Sequence, residues 1–339
     1  MHTSRRDRIM SQKIYAAITG AGHYMPEKVL TNAELEKMVD TSDEWIRTRT
    51  GICERRIAGE GEFTSHLATA AARKALEQAG LAPEDVEAIY VATCTPDMIF
   101  PSTACLVQTA LGATKAYGFD LSSACSGFIM GLDTACAAIE SGRVKNALVI
   151  GAEKLSTVTD WTSRDTCVLF GDGAGAVVVQ ASDEPGLHSS YLGVDGSLAD
   201  FLSIPAGGSQ QPASETTIQE HLHCIHMSGR ETFKVAVSTM VRAAKEALKR
   251  AGMTVADLDC IIPHQANARI VEAVAKRLGP GAPERIYMNL QRYGNTSAAT
   301  IPIALSEALA EGKVKKGSNV LMVAFGGGLS WGSVVMQLR

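Results

Sequence analysis

The sequence predicts an α/β protein of two duplicated halves stacked as layered αβαβα, and three observations predict it. Residues 71–89 (AARKALEQAGLAPEDVEAI) and 243–261 (AAKEALKRAGMTVADLDCI) align without a gap at an offset of 172, with eight of nineteen positions identical. A second pair repeats at an offset of 170: Gly142-Arg-Val-Lys145 matches Gly312-Lys-Val-Lys315, and after a three-residue insertion residues 146–150 match 319–323. Third, segments 89–92, 147–150, 176–179 and 320–324 are short and continuously apolar. Such strands suit sheets covered by helices on both faces. Self-similarity of this kind marks a repeated structural unit, and 339 residues accommodate two units of roughly 150. The halves are predicted to span residues 14–185 and 186–339.

Each copy of the longer repeat reads as a helix halted by glycine (Gly80, Gly252), a short capped turn and a buried strand. Two further strands, 117–121 and 286–290, are each expected to turn into a helix, 126–140 and 297–311. At the offset of 170, Tyr117 falls on Tyr287 and Cys125 on Asn295. A pseudo-twofold pair of these elbows sets Cys125 and Asn295 facing each other across a central crevice. Residues 206–220 (AGGSQQPASETTIQE) are rich in Gly, Ser and Pro and are expected to form a mobile loop, a lid over the site. The segment before Ile14 reads as a frayed extension, with Met10 an alternative translation start.

Hydrophobic residues make up 46% and charged residues 20% of the chain, as in ordinary globular proteins rather than disordered or coiled-coil ones. A net charge of −4 argues against an overall basic nucleic-acid binder. The first residues (MHTSRRDRIM) lack the apolar stretch of a signal peptide, and no run reaches the roughly 18 apolar residues of a membrane span. The eight cysteines contain no Cys-x-x-Cys pair that would point to zinc or a redox dithiol. A cytoplasmic, reducing setting with free thiols is expected, most of those thiols being small buried hydrophobes.

Cys125 differs from the other cysteines because it stands in Ser122-Ser-Ala-Cys-Ser-Gly-Phe128, where a strand gives way to a helix. Unpaired N–H groups and the helix dipole at such a start favour the thiolate, the reactive form. The competing reading is an inert buried cysteine. His264, in Pro263-His-Gln-Ala-Asn-Ala-Arg269, ends the strand of the second repeat where the first repeat has Ala92. Strand ends at a sheet's rim are where α/β folds place chemistry; otherwise His264 is a satisfied rim histidine. Asn295, in Tyr293-Gly-Asn-Thr-Ser297, has helix N-capping as its commonest role. The three together make a stronger case than any one alone. His221, Cys224 and His226 invite a metal reading, but an acidic partner and standard spacing are lacking, so no metal is expected.

As a set, these features resemble the β-ketoacyl-acyl-carrier-protein synthase III family, thiolase-fold enzymes that initiate type II fatty acid synthesis. The matching motifs are Thr41-Ser-Asp-Glu-Trp-Ile-Arg-Thr-Arg-Thr-Gly51, the Cys125 elbow, Phe170-Gly-Asp-Gly-Ala-Gly175, His264-Gln-Ala-Asn267, Gly294-Asn-Thr-Ser297 and Phe325-Gly-Gly-Gly328, spread over about 290 residues. The resemblance implies a thiolase-like fold, a Cys125, His264 and Asn295 triad, and no cofactor, acyl-CoA being a substrate. Cys125 would take the acyl group from acyl-CoA as a thioester. Malonyl-acyl-carrier protein would then lose CO2, and its enolate would attack that thioester. His264 and Asn295 would donate to the malonyl thioester oxygen, each donor being worth roughly 3–4 kcal/mol in the transition state. The N–H groups of Cys125 and Gly327 would form a second oxyanion hole.

By the same resemblance, Trp45 and Arg164 sandwich the adenine of CoA, and Thr41, Arg49, Gly229 and Asn267 contact other parts of it. Without it, Trp45 reads as a helix-face anchor packed on the core. Phe170, Ile225 and Phe325 are expected to line the acyl pocket, with Phe100 contributed across a homodimer. An acidic carrier protein requires local positive charge. Arg269 and Lys276, seven apart, share a helix face; Arg277 borders it, and Lys234 is a family-matched neighbour. The plain alternative is an ordinary solvated face. Leu329 and Ser330 depart from the aromatic and Thr common after the glycine triplet, leaving the primer open between acetyl, branched and longer chains.

Rival readings share parts of this pattern. A thiolase-fold ketide or quinolone synthase keeps the same triad and differs in its substrates. A cysteine hydrolase is disfavoured, because Asn295 holds the nucleophile's mirror position and no carboxylate is evident to orient His264 as a base. A non-catalytic nucleotide-binding or scaffold protein has no need of Cys125 or His264. A dinucleotide oxidoreductase lacks a GxGxxG motif opening a helix after the first strand.

Overall fold

A computed structural model describes residues 13–339; the expectations for the extreme N-terminal segment and Met10 lie outside them. The first of two main sheets holds β1 (Tyr15–Tyr24), β2 (Ala88–Ala92), β3 (Tyr117–Leu121), β4 (Asn146–Glu153) and β5 (Gly173–Ser182), in the order β1-β5-β4-β2-β3. The second holds β6 (Leu187–Val194), β7 (Cys260–Pro263), β8 (Asn319–Gly326) and β9 (Ser330–Gln337), in the order β7-β8-β9-β6. Both are mixed: β2 runs parallel to β3 and β4, and β7 runs parallel to β8. The other pairs are antiparallel. Apart from β3, the two orders are the same, β2-β4-β5-β1 against β7-β8-β9-β6. This is the sequence repeat in three dimensions.

Helices α1 (Thr64–Ala79), α2 (Thr103–Leu111), α3 (Gly127–Glu140), α4 (Gly229–Ala251), α5 (Ala268–Leu278) and α6 (Thr300–Ala310) complete the layers. Phe128, Ile129 and Leu132 of α3 and Ile301, Ala304 and Leu305 of α6 share one cluster with Val149 and Val177 of the first sheet and Met322 and Val334 of the second. A helix apolar on every side belongs inside a core, so α3 and α6 form the middle layer. Leu67, Ala71 and Leu76 of α1 and Val107 of α2 cover the other face of the first sheet, against Ile89, Ile150 and Val178. Val237 and Met240 of α4 and Val274 of α5 cover the second, against Ile261, Leu321 and Val335. The result is the expected αβαβα stack. Among the described residues no helix is long and apolar enough to cross a membrane.

The repeat also holds locally. Helices α1 and α4 stop at Gly80 (φ 64°) and Gly252 (φ 68°), left-handed positions that strain any side chain. A 3₁₀ turn follows in each, Pro83–Asp85 and Val255–Asp257, before β2 and β7.

Two expectations fail. The strand at 286–290 is absent: Ile286 makes only an isolated bridge to Ile261, and the chain then coils into Leu290–Tyr293. The Gln265 side chain replaces a ladder here, Nε2 donating to Tyr287 O at 3.3 Å and Oε1 accepting from Asn289 N at 3.1 Å. With those backbone groups satisfied, no strand is required. Residues 206–220, expected as a mobile loop, carry local structure of their own. Ser214 Oγ accepts from Thr217 N at 3.2 Å and caps the short helix Glu215–Gln219. Ala206 N–H donates to Leu222 O at 2.9 Å, tying the two ends of the loop together.

Candidate active site

Beyond β3, the chain passes through a 3₁₀ turn, Ala124–Ser126, into α3. Ala124 has φ 43°, a left-handed value rare for a residue with a side chain. The second half uses the same device: Ser297, at φ 50°, opens the turn Ser297–Ala299 that leads into α6. Structural equivalence therefore pairs Ala124 with Ser297 and Cys125 with Ala298, three residues away from the mirror position at Asn295. Asn295 reaches the site from the segment before that turn. A bridge to Phe170 anchors it there, Asn295 N donating to Leu169 O at 2.8 Å and Gly171 N to Asn295 O at 3.1 Å. His264 follows β7, its N–H donating to Val323 O at 2.8 Å.

Cys125, His264 and Asn295 are buried at 8%, 3% and 6% exposure and line one cavity with Phe170, Met227, Gly229, Phe233, Asn267 and Phe325. A second cavity shares Cys125, Phe170 and Leu202 with the first and is otherwise lined by Cys94, Leu155, Ile204, Ile225 and Gly327 among others. Cys125 thus stands where the two meet. Phe325 belongs to the first cavity rather than to the second with Ile225. Phe100 is 83% exposed and lines neither within this chain. Close approach depends on Gly326 beside Gly327: a Cβ at Gly326 would lie 2.6 Å from Cys125 N. Ser330 Oγ lies 2.7 Å from Ser126 Oγ and donates to Gly327 O at 2.9 Å, so this departure from the family pattern ties the glycine loop to the Cys125 elbow.

Burial opposes the expected thiolate: it pushes the Cys125 thiol up to about 12, the Ser297 hydroxyl opposing and Glu153 adding to the shift. Burial also lowers His264 to about 3, so its imidazole is neutral. His264 Nδ1 lies 2.7 Å from Thr300 Oγ1, which is also 3.0 Å from Ser297 O. Asn295 Oδ1 accepts from Ser297 N at 2.8 Å, which leaves the donor end of its amide for the cavity.

Of the remaining candidates Gly229 and Asn267 line the first cavity, whereas Arg164 lines a separate depression with Met38 and Asp40. Arg164 stacks on Trp45 with 4.7 Å from guanidinium to ring centroid, and the indole packs partly against the cluster of Leu35, Ile46 and Val168. Asn267 caps α5, accepting from Arg269 N at 2.9 Å, and donates to Arg49 O at 3.1 Å. The Thr41 hydroxyl is buried without a partner, whereas Arg49 and Gly229 are exposed. Arg269, Lys276, Arg277 and Lys234 are all exposed, and Arg269 lies over the Phe233 ring of α4 at 5.6 Å, which brings Lys234 alongside. His221 Nδ1 instead pairs with Asp160 Oδ2 at 3.1 Å, and His226 Nε2 lies 3.3 Å from His221 O, while Cys224 is buried. Glu153, Ser297 and Thr300 were not singled out in the sequence, yet they surround the site. Glu153 had a signal: it is the lone acid ending the apolar run NALVIGAE.

The lowered imidazole has a consequence for stability. An unfolded histidine takes up a proton below about pH 6.5, whereas folded His264 stays neutral down to about pH 3, so stability falls as pH drops through that window. The term reaches about 2 kcal/mol by pH 5. A His264→Asn variant is expected to show a flatter acid limb than the wild type when denaturant midpoints are followed from neutral pH to pH ~4; parallel limbs would contradict the burial argument.

The site's geometry can now be set beside known proteins. Residues 119–196 match the family described as 3-oxoacyl-[acyl-carrier-protein (ACP)] synthase III, and residues 248–338 match its C-terminal part. The β-ketoacyl-[acyl-carrier-protein] synthase III of Caldanaerobacter subterraneus is 56% identical over 329 residues, covering 97% of this chain and 99% of the relative. The crystal structure of 3-oxoacyl-[acyl-carrier-protein] synthase III from Aquifex aeolicus superposes with a TM-score of 0.87 at 52% identity, covering 95% of this chain and 99% of that one. The priming β-ketosynthase of the R1128 polyketide pathway superposes with a TM-score of 0.90 at 37% identity, covering 97% of each chain. The chain belongs to the β-ketoacyl-[acyl-carrier-protein] synthase III family.

Proposed function

We propose that Cys125 carries the acyl group in the condensation that initiates fatty acid synthesis, and that His264 and Asn295 serve the step that follows acylation. The observation that carries this reading is the placement of Cys125 at the meeting of two cavities, only one of which contains His264 and Asn295. The family's substrates are an acyl-CoA and malonyl-acyl-carrier protein. In the first step the Cys125 sulfur attacks the acyl-CoA carbonyl, its C–S bond forms as the bond to CoA breaks, and the thiol proton ends on the CoA sulfur. The acyl chain then occupies the cavity of Leu155, Leu202, Ile204, Ile225 and Phe170, whose apolar lining suits a hydrocarbon. The N–H groups of Cys125 and Gly327 hold the thioester oxygen.

In the second step malonyl-carrier protein enters through the emptied first cavity. Decarboxylation puts charge on the malonyl thioester oxygen, and neutral donors from His264 Nε2 and Asn295 Nδ2 stabilise it. For Nε2 to donate, Nδ1 must accept from Thr300. The Thr300 hydroxyl, which donates to Ser297 O at 3.0 Å, must then turn its proton to Nδ1, 2.7 Å away. The enolate carbon attacks the Cys125 thioester and releases β-ketoacyl-carrier protein, CO2 having left.

At the mouth, Arg164 swings off Trp45 to admit the adenine, because a stack at 4.7 Å leaves no gap for a base. Thr41, Arg49, Gly229 and Asn267 follow the rest of CoA. Lys234, Arg269, Lys276 and Arg277 steer the acidic carrier protein. A homodimer forms through the free edge of β3, where Phe119 and Tyr117 stand half exposed, and the loop bearing Ile99 and Phe100 reaches the partner's acyl cavity. All eight cysteines are unpaired, which suits a cytoplasmic setting.

Three experiments test these assignments. Cys125→Ala should take no label from radiolabelled acyl-CoA, whereas His264→Ala should still be acylated and lose about 10²–10³-fold in condensation; loss of acylation with decarboxylation intact would reverse the roles. Lys276→Glu with Arg277→Glu should raise the KM for malonyl-carrier protein severalfold and leave acylation untouched; unchanged carrier-protein kinetics would remove this docking face. Ile99→Asp with Phe100→Asp should sediment as a monomer, and a variant that still sediments as a dimer rules out this interface.

A further inference from the structure

The glycine loop after β8 is the part of the site least able to hold itself in place. Gly326, Gly327 and Gly328 have no side chains to pack or bond, and glycine has the freest backbone of any residue. Yet the loop lies hard against the Cys125 elbow. A Cβ at Gly326 would fall 2.6 Å from Cys125 N, and one at Gly327 would fall 3.6 Å from the Ala124 Cβ. A contact this close, made by a backbone this free, needs a tether.

Two buried hydroxyls supply it. Ser126 follows Cys125 in the elbow, and Ser330 opens β9 just after the loop. Their oxygens lie 2.7 Å apart. Ser126 Oγ is also 2.9 Å from Ser123 O, and Ser330 Oγ is 2.9 Å from Gly327 O and 3.2 Å from Ser123 O. Two protons thus serve four contacts. When Ser126 donates to Ser330, the Ser330 proton goes to Gly327 O, and Ser123 O keeps the Ser126 N–H at 3.2 Å. That order leaves neither carbonyl without a donor, as burial demands. It also joins the second sheet to the turn that leaves the first.

We propose that Ser126 and Ser330 are positioning residues: their hydroxyl pair latches the glycine loop to the elbow and so fixes the spacing between the N–H of Cys125 and the N–H of Gly327. The inference rests on the reading that these two donors hold the thioester oxygen while Cys125 is acylated. Neither serine lines either cavity, so neither meets substrate. An oxyanion hole is effective because its donors are in place before charge develops. A loop free to drift by an ångström forfeits much of that advantage. The latch therefore acts on the transition state of acylation, and leaves acyl-CoA binding and the thiol itself alone.

The test compares two reactions of Cys125 in the full-length protein, with the labelled peptide identified by mass. Acylation by a saturating radiolabelled acyl-CoA passes through an oxyanion, whereas alkylation by iodoacetamide does not. Ser126→Ala and Ser330→Ala should each slow acylation about tenfold, short of the roughly 10²–10³-fold that loss of a whole donor costs. The half-saturating acyl-CoA concentration and the alkylation rate should stay unchanged. The double variant should be no slower than the slower single, because either change breaks the same link. Ser330→Thr keeps the hydroxyl and should recover most of the loss. Ser330→Cys fills the space with a weak hydrogen-bonder and should stay slow, which reads the latch even where an alanine void unfolds the chain. Wild-type acylation rates, effects that multiply in the double variant, or acylation and alkylation falling together would overturn the latch. Gly326→Ala probes the oxyanion reading separately, since its Cβ must push the loop off Cys125 N. Intact acylation in that variant removes the two donors from the reaction; its loss there, with the serine variants unaffected, removes only the latch.

Discussion

Everything in this molecule follows from burying α3 and α6 between two sheets. A helix covered on both sides must satisfy its polar side chains internally: α6 keeps nine consecutive residues, Thr300 to Ala308, out of solvent, and its Thr300, Ser306 and Glu307 are all hydrogen-bonded within the protein. Function is therefore confined to the ends of these helices, where the chain must still turn in from a sheet. Both turns are tight enough to force a left-handed residue, Ala124 in one and Ser297 in the other. They are packed so closely on the flanking strands that a Cβ at Gly151 would strike the carbonyl of Ala298. The candidate trio lies where these two turns meet.

Burial then decides the electrostatics. Burial moves the Cys125 thiol up and the His264 imidazole down, so it favours the neutral form of each. A neutral site is instead matched to charge that arises on the substrate, where preorganised dipoles act without prior ionisation. Glu153, buried nearby, accepts from the side chains of Thr93, Cys94 and Thr95 and from Cys94 N, while burial pushes its carboxyl up.

Much of this was legible in the residues. The duplication, the glycine stops at Gly80 and Gly252, the apolar strands and the elements carrying Cys125 and His264 could be read directly, because each rests on local pattern. The mirror relation of Cys125 and Asn295 could not. Sequence offset counts residues, whereas the turns are equivalent by backbone conformation, and these differ by three positions. The expected strand at 286–290 was lost for a related reason: one side chain, Gln265, does what a ladder would, and no periodicity reports that. Phe325 lines the cavity of His264 and Asn295 and not the one with Ile225, a division that residue pattern does not report. Glu153 was visible as an acid closing an apolar strand, but its donors Thr93, Cys94 and Thr95 come from a distant loop.

The Gln265 bridge also gives the two halves different valence. A duplicated fold with two equivalent open sheet edges would offer two like surfaces pointing apart, and association through both propagates without end. Here the first sheet ends in the five-residue β3 with its backbone groups free to pair, whereas the corresponding edge of the second is reduced to one bridge at Ile286 and sealed by a side-chain amide. The two halves of a duplicated fold thereby end in unlike edges, one a strand and the other a single bridge.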